Sequence, residues 1–303
     1  MLLIGSFAAG AWVFNSSSSS SSSDFPLINK AVTVDIGKYY IINFRPLRLE
    51  LEKIQKKYPQ KTYVYFSYLN NGSWVGLNER EEFTAASTLK VPLAMSIYKM
   101  MEKGKLKPTD NYSVEELDLD SNFGELYRVG PDKEFTVEEL IKIMLEQSDN
   151  TAMKAIHTVL LRLGIENPLG EVYNELGWQF LTPPTIDEEP DYSKINLRAL
   201  SNMFLALYNS TFFNEVEHSQ KILEYLANTS FKDKIAAGVP EDIIISHKIG
   251  IAGGDNTFSD CGIVYAPNRN YILCLGSNGG EEKVAAKFMA EVSKAVYTYV
   301  INN

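Results

Sequence analysis

The run Glu82–Lys99 reads EFTAASTLKVPLAMSIYK and places Ser87 and Lys90 at the predicted start of a strongly apolar helix. A serine in the first helical turn exposes its hydroxyl, and its backbone N–H lies at the positive end of the helix dipole. Lys90 follows three residues later, so its amine lies on the same helix face. Because burial lowers the pKa of a lysine amine, this amine can act as a base toward the hydroxyl. The run therefore predicts an activated serine nucleophile.

The same spacing occurs again in this helix, at Ser96 and Lys99. That second serine lies in mid-helix, where its backbone N–H is already bonded within the helix. Spacing alone is therefore weak evidence, and the prediction for Ser87 depends on its place at the helix start and on further motifs.

Two further motifs follow along the chain. Ser148-Asp149-Asn150 lies at the junction of two predicted helices, and Lys248-Ile249-Gly250 ends a β-rich segment. Each triplet also has a simpler interpretation. The first contains residue types that cap helices, and the second fits an edge-strand lysine followed by a turn glycine. The ordered set of three motifs is much rarer by chance than any one of them.

Hydrophobic periodicity predicts strands near both ends of the chain. Aromatic and β-branched residues at 62–69 and the segment SWVGLN flank the turn Asn70–Gly72, a hairpin pattern. Strand patterns return at 242–247, 258–265 and 271–276. Helices are predicted between and around these strands, one of them opened by a capping box at Thr136; they cover 44–59, 87–102, 136–147, a segment from 150 onward, 167–176, 197–208, 215–227 and 281–300.

This order of elements predicts an α+β fold with three layers, α/β/α. An antiparallel sheet built from the N- and C-terminal segments is flanked by helices, and an all-helical subdomain is inserted into it. We expect one catalytic domain at residues 27–303, with its α/β part at about 40–105 and 230–303 and its all-α part at about 106–229.

Composition narrows the chemistry. The 303 residues carry 38 acidic against 29 basic side chains, a net charge of −9, so the basic footprint of a nucleic-acid-binding protein is missing. Two cysteines and three scattered histidines, His157, His218 and His247, argue against a zinc or His-rich metal centre. We therefore expect no metal and no cofactor, with hydroxyls, amines, carboxylates and backbone amides as the reactive groups.

The N-terminal residues differ from the rest of the chain. Residues 1–14, MLLIGSFAAGAWVF, carry no charge and precede an unbroken serine run, Ser16–Ser23. The stretch is short for a spanning helix of about 20 residues and fits the apolar part of a signal peptide, although a basic start is missing. A truncated or mis-started terminus without function is the alternative. We expect residues 1–26 to be a signal or anchor with a flexible tether, and an extracytoplasmic protein, secreted or membrane-tethered.

The three motifs together resemble the signature S-x-x-K, S-D-N and K-T-G of class A β-lactamases and penicillin-binding proteins. The resemblance extends from about Leu47 to the C-terminal helix, and the local sequences AASTLKVPLA, SDNTAMKAI, HKIG and SDCGIVY support it. It implies a β-lactamase/transpeptidase-like fold and a serine hydrolase that opens cyclic amide or other acyl bonds.

The resemblance also implies the catalytic roles. Ser87 is then the nucleophile that forms an acyl-enzyme, and Lys90 helps to deprotonate it. Ser148 relays a proton to the leaving nitrogen of the substrate. Asp149 is expected to orient the helix junction and has no chemical role.

Substrate binding is implied for a second group of residues. Asn150 is expected to bond the acylamide of the substrate, and Lys248 to attract a substrate carboxylate and to tune Ser148. The backbone N–H groups of Ser87 and Ile251, beside Gly250, are expected to form the oxyanion hole. Phe123 is either an aromatic wall of the cleft or an ordinary packing residue.

Two departures from the family pattern matter. Ile249 stands where the family has a threonine or serine, whose hydroxyl bonds the substrate carboxylate, so carboxylate recognition is expected to be weaker or rearranged. Class A enzymes hydrolyse the acyl-enzyme with a glutamate in an E-x-x-L-N pattern, which is missing between Gly177 and Leu197. The acidic residues in that region are candidates for the role, with a solvated loop as the alternative: Asp187, Glu188 and Glu189.

Three functions follow from these observations. The first is β-lactam ring opening with slow or atypical deacylation. The second is a D,D-peptidase-like or esterase-like hydrolase of the same fold, and the third is a non-catalytic cell-envelope binding module. The expected partner is a β-lactam or a peptidoglycan-like peptide, with no nucleic acid, a membrane tether through the N-terminus, and a monomeric state.

Cys261 and Cys274 flank the turn Ala266–Asn270 nearly symmetrically and are expected to face each other across a hairpin. An exported protein permits a disulfide there. We expect buried free thiols, because cysteine packs well as a small hydrophobe.

Overall fold

The computed structural model describes Leu27, residues 43–177, Asp191 and residues 193–303. Its helices and strands are, in chain order, α1 Arg45–Gln55, β1 Lys61–Tyr68, β2 Trp74–Leu77, β3 Phe83–Thr84, α2 Lys90–Glu102, β4 Asn111–Ser113, β5 Glu134–Thr136, α3 Val137–Glu146, α4 Asn150–Arg162, α5 Pro168–Glu175, β6 Lys194–Ile195, α6 Leu197–Tyr208, α7 Val216–Ala227, β7 Ile245–Ala252, β8 Thr257–Val264, β9 Tyr271–Asn278 and α8 Glu282–Asn302. Short 3-10 turns occur at Ala86–Leu89, Glu116–Asp118, Leu126–Val129, Ile235–Gly238 and Gly253–Asp255.

The main sheet has five strands in the order β2-β1-β9-β8-β7, and every neighbouring pair is antiparallel. The hairpin β1–β2 comes from the N-terminal part of the chain, and the other three strands come from its C-terminal part. The pairing of β1 with β9 therefore joins the N-terminal and C-terminal parts of the sheet, as the sequence predicts. Strand β7 forms one edge of the sheet.

The two faces of the sheet each cover a core. In β1, Val64, Phe66 and Tyr68 pack with the apolar sides of α1 and α8, whereas Tyr63 and Tyr65 pack with the helical layer that includes α2 and α6. Successive strand residues point to opposite faces, so a strand buried on both sides is apolar throughout. The predicted three-layer α+β fold is confirmed.

Local capping explains where the inserted helices begin. The Thr136 hydroxyl accepts the backbone N–H of Glu139, and the Glu139 carboxylate accepts the Thr136 N–H in return. Asp149, Asn167 and Asn196 accept backbone N–H groups in the same way at the starts of α4, α5 and α6. These side chains satisfy helix N–H groups that otherwise lack a partner.

Three features of the fold differ from the sequence prediction. The helix predicted from Ser87 begins at Lys90, after a 3-10 turn. The insertion also contains a short two-stranded sheet, β4 with β5. Strand β7 does not end at His247, because its pairing with β8 continues to Ala252. The triplet from Lys248 to Gly250 therefore lies inside an edge strand, and Gly250 is not a turn residue.

The prediction of free thiols was wrong, because Cys261 and Cys274 form a disulfide. The register of β8 and β9 places the two residues directly opposite each other. Residues that face each other across neighbouring antiparallel strands have side chains close enough to join.

Leu27, the first residue that the structure describes, contacts the rest of the domain. Leu27 is 4% exposed and lines a groove of about 770 Å³ between α7 and residues 236–245. Its backbone N–H donates to Gln220, and its carbonyl accepts the Tyr265 hydroxyl. Among the described residues, no helix is long and apolar enough to cross a membrane.

Candidate active site

Ser87 lies in a 3-10 turn that leads directly into α2. Ala86 just before it has a left-handed backbone, with φ of 48°. The Thr88 hydroxyl donates to the Ala85 carbonyl at 2.7 Å and holds the turn closed. The turn therefore presents the Ser87 hydroxyl at the N-terminal end of a 13-residue helix, where the helix dipole favours negative charge.

The amine of Lys90 is the centre of the site. It is fully buried and lies 3.0 Å from the Ser87 Oγ, 3.3 Å from the Ser148 Oγ and 2.8 Å from the Asn150 Oδ1. It also donates to the Ser148 carbonyl. The structure thus brings the first two motifs together around one amine.

Burial lowers the pKa of the Lys90 amine to about 8, although the charges of Asp149 and Asp120 oppose this shift. The charged form of a lysine loses its hydration in a buried site, so the neutral form is favoured. A substantial fraction of Lys90 is therefore a free base near pH 8, next to the Ser87 hydroxyl.

Ser148 lies between two amines. It is fully buried and has a left-handed backbone with φ of 57°. The Lys248 Nζ, which belongs to the third motif, donates to the Ser148 Oγ at 2.7 Å. Burial and the neighbouring Lys90 charge hold the pKa of the Lys248 amine well below its usual value, while Asp260 opposes the shift. All three motifs thus meet at the Ser148 hydroxyl.

Asp149 fixes the second motif to the loop before it. One carboxylate oxygen accepts the Ala152 N–H and caps α4, and the other accepts the Leu126 N–H, both at 2.9 Å. A Cβ at Gly124 would lie 2.0 Å from this carboxylate, and the φ of Gly124 is 93°. The backbone N–H of Asn150 donates to the Phe123 carbonyl. The loop that carries Phe123 is therefore positioned by the motif itself.

Asp120 is a site residue that the sequence analysis missed. It accepts the side-chain amide of Asn150 at 3.3 Å and forms an ion pair with Lys154 at 3.0 Å. Burial opposes ionisation, but bonds from the Asn122 N–H, Lys154 and Asn150 keep the pKa of the Asp120 carboxyl below its usual value. No local sequence pattern identifies Asp120, because its contact with Asn150 joins residues that are 30 positions apart in the chain.

Strand β7 forms the other wall of the site. Gly250 has no room for a side chain, since a Cβ there would lie 2.7 Å from the Ala85 carbonyl and 2.6 Å from the Ser259 Oγ. The strand can therefore approach the Ser87 turn closely. Ile249 is only 2% exposed, and Ile251 follows on the same edge strand. The oxyanion roles of the Ser87 and Ile251 N–H groups stay a prediction.

Two aromatic rings lie at the Lys248 end of the site. The rings of Phe123 and Phe231 have centroids 5.9 Å apart, and the Lys248 Nζ lies 5.9 Å from the centre of the Phe231 ring. Phe231 was missed by the sequence analysis, because it lies in a connecting segment without a motif. Phe123 does contact the site, through this ring and its backbone.

The remaining predicted residues lie elsewhere. Asp187, Glu188 and Glu189 lie outside the described residues. The second Ser–Lys pair of α2 is not a site, since Ser96 is 2% exposed and Lys99 is paired with Glu175 at 2.8 Å. In the described ranges, no three His, Cys, Asp or Glu residues form a cluster that could hold a metal ion.

His247 has a carboxylate partner that no local pattern in the sequence indicates. Its Nδ1 lies 2.8 Å from the Asp260 carboxylate, and both side chains are fully buried. The other Asp260 oxygen accepts the Ile235 N–H. Because neighbouring residues of a strand point to opposite faces, His247 lies on the other side of β7 from Lys248.

An antiparallel sheet with helices on both faces, and a serine–lysine–serine cluster beside its edge strand, defines an active-site serine hydrolase. The chain belongs to the beta-lactamase enzyme family, whose model matches residues 46–300.

Individual relatives agree with this assignment. An imipenem-hydrolyzing beta-lactamase from Enterobacter cloacae is 25% identical over 261 residues, which cover 81% of this chain and 86% of that protein. Beta-lactamase VEB-1 from Pseudomonas aeruginosa is 20% identical over 282 residues, covering 84% and 91% respectively.

Among solved structures, that of PBP-A has a TM-score of 0.75 and 20% identity, covering 88% of this chain and all of that one. A PBP-A mutant in its acyl-enzyme complex with penicillin G has a TM-score of 0.74 and 20% identity, covering 85% and 97%. These similarities show that the fold is shared.

The close packing at Gly250 gives a test. Replacing Gly250 by alanine should lower the melting temperature by roughly 3–10 °C, because overpacking typically costs about 1–3 kcal/mol. It should also slow covalent labelling of Ser87, since the added methyl meets the Ala85 carbonyl. Calorimetry and labelling rates on the full chain measure both effects. Gly254→Ala is the matched control, because nothing lies within 4 Å of a Cβ there. Equal behaviour of the two variants would contradict the assigned packing role.

Proposed function

We propose that this protein is a β-lactamase-like serine hydrolase that forms an acyl-enzyme at Ser87 and releases the acyl group slowly. The observation that carries this proposal is the Lys90 amine, which lies 3.0 Å from the Ser87 Oγ and 3.3 Å from the Ser148 Oγ. A buried amine with a pKa of about 8 can take a proton from a serine near neutral pH.

Acylation begins with attack of the Ser87 Oγ on the substrate carbonyl carbon. The neutral Lys90 amine takes the hydroxyl proton as the new C–O bond forms. The carbonyl oxygen becomes negatively charged and is stabilised by the backbone N–H groups of Ser87 and Ile251. One such donor typically contributes a factor of about 10²–10³ in rate. The start of α2 adds a favourable dipole.

The leaving nitrogen needs a proton when the amide bond breaks. The Ser148 hydroxyl supplies it, and one of the two amines that contact this hydroxyl returns a proton to Ser148. Lys248 at 2.7 Å and Lys90 at 3.3 Å are both in position for this transfer. The step ends with an ester at Ser87 and a free amine on the opened substrate.

Deacylation is expected to be slow. Hydrolysis of the ester requires a base that activates water, and the segment between Gly177 and Leu197 has no E-x-x-L-N pattern. The acidic candidates for this base remain Asp187, Glu188 and Glu189. If Ser87 is acylated faster than the ester is hydrolysed, the covalent complex is long-lived.

The relatives support a β-lactam substrate. One protein in the comparison is named for imipenem hydrolysis, and the PBP-A mutant was captured as an acyl-enzyme with penicillin G. A D,D-peptidase-like or esterase-like activity is the second candidate, favoured by the similarity to PBP-A and by the missing glutamate pattern. Membership of an enzyme family disfavours the non-catalytic binding module.

Covalent labelling tests the nucleophile. Incubation with a fluorescent penicillin should give a single adduct on Ser87, seen by intact-mass analysis and peptide mapping. Ser87→Ala should give none, whereas Ser96→Ala should label normally, because the second Ser–Lys pair lies apart from the site. Absence of both an adduct and turnover in the unmodified chain would overturn the proposal.

Turnover separates the candidate activities. A chromogenic cephalosporin and a D-Ala-D-Ala peptide should be compared under the same conditions as the labelling. If cephalosporin turnover reached the enzyme median of about 10 s⁻¹, slow deacylation would be excluded. Preferential hydrolysis of the peptide would favour the second candidate.

The pH dependence of acylation tests the role of Lys90. The neutral amine is the reactive form, so the acylation rate should rise about tenfold per pH unit below pH 8 and level off above it. Stopped-flow labelling of the free enzyme between pH 5.5 and 9.5 measures this profile. A rate that is independent of pH across this window would show that Lys90 is not the base.

We also infer that the protein works outside the cytoplasm. The uncharged residues 1–14, the serine run and the Cys261–Cys274 disulfide support this, because disulfides persist mainly in oxidising compartments. Residues 1–42 fused to a phosphatase that is active only after export should give an active reporter. The same fusion without residues 1–14 should be inactive, and equal activity of the two fusions would refute export through this segment.

A further inference from the structure

The Lys248 amine has little capacity left for a substrate carboxylate. A lysine ammonium has three N–H donors. The Lys248 Nζ donates to the Ser148 Oγ at 2.7 Å and to the Ile249 carbonyl at 3.3 Å. The ring of Phe231 lies over the same atom, with its centre 5.9 Å away. Only 2% of Lys248 is exposed, so the amine is shielded from a ligand in this structure.

The charged form of Lys248 is also disfavoured by its surroundings. Burial and the Lys90 charge hold the pKa of this amine well below its usual value. An amine that is less often charged attracts an anion less strongly. Proton exchange with Ser148 does not require a permanent charge, so this property is compatible with the relay.

Three residues near Lys248 in sequence do not supply an anion site in the part of the chain that the structure describes. Ile249 has no hydroxyl and is 2% exposed. Lys234 is 1% exposed and is paired with Asp233 at 2.9 Å and Glu282 at 3.1 Å. Lys232, next to Phe231 in sequence, lines the groove beside α7. These two lysines therefore have other environments within the described part of the chain.

The aromatic pair forms a defined surface. The rings of Phe123 and Phe231 lie 5.9 Å apart with an angle of 40° between their planes, an arrangement that aromatic pairs favour. Phe123 is held by the bond from Asn150 to its carbonyl and by the packing of Gly124 on Asp149. The backbone at Phe123 is therefore fixed by the second motif, and the Phe231 ring lies near the lysine of the third.

We propose that Phe231, with Phe123, is a specificity-determining surface that receives an uncharged planar or apolar group of the substrate where the family pattern places a carboxylate. The proposal rests on the proposed acyl-transfer function of the same site. It assigns the substrate class as acyl compounds without a required anionic group next to Lys248. Aromatic faces gain free energy from contact with apolar and planar groups, and a carboxylate there would face a ring and lose hydration.

Benzylpenicillin and its methyl ester test the proposal, because they differ only in the carboxylate. The second-order rate of Ser87 acylation should be within about threefold for the two compounds. A required carboxylate would favour the acid by about 10–100-fold, the usual effect of a hydrogen bond to a charged group. A preference for the acid of this size in the unmodified chain would overturn the proposal.

Phe231→Ala should uncover Lys248 and raise the preference for the acid over the ester about tenfold. The control is Phe135→Ala, which removes a half-buried phenylalanine of β5 that is not part of the site. The control should leave the ratio of the two rates unchanged. An unchanged ratio in Phe231→Ala would show that this ring does not set the specificity.

Binding to Ser87→Ala separates this proposal from the acylation chemistry. Calorimetry should show dissociation constants for the acid and the ester within about threefold, whether or not the unmodified chain is acylated. Absence of acylation with equal binding would refute only the proposed function. Binding of the acid more than tenfold tighter, or of neither compound at millimolar concentration, would refute the specificity proposal.

Discussion

Two buried lysine amines contact one serine hydroxyl, and the rest of the site depends on this contact. Lys90 and Lys248 both donate to the Ser148 Oγ. Burial lowers the pKa of both amines, and the charge of Lys90 lowers that of Lys248 further. In the proposed mechanism, the neutral Lys90 amine activates Ser87 as the nucleophile. Burying two amines side by side lowers the stability of the fold. We propose that the cluster serves proton transfer.

The scaffold meets this constraint by bringing α2, α4 and β7 to one point. Ser148 adopts a left-handed backbone, which is strained for a residue with a side chain. Gly250 lets the edge strand approach the Ser87 turn, and Asp149 joins the start of α4 to the preceding loop. The two apolar cores on either side of the sheet supply the stability that offsets these local costs.

The site combines a reaction centre that carries the three motifs with a rim that departs from the family pattern at Ile249. The groups to which we assign proton transfer lie in the interior and contact one another directly. The groups that we propose to select the substrate lie at the edge, where Ile249 stands in place of a hydroxyl residue and the Phe231 ring lies 5.9 Å from the Lys248 Nζ. Rim residues can change without disturbing the amine contacts, because they carry no part of the proton transfer. A family member can therefore keep the acylation chemistry and differ in its substrates.

Local chemistry in the sequence was enough to predict the helices, the hairpin, the three-layer fold and the three motifs, because caps, turns and periodicity act over a few residues. Spacing could not distinguish Ser87–Lys90 from Ser96–Lys99, since only the tertiary structure pairs Lys99 with Glu175. Strand register decided the disulfide and the His247–Asp260 pair, and loop packing brought Phe231 to Lys248. Such contacts depend on where distant segments meet, which local sequence does not encode.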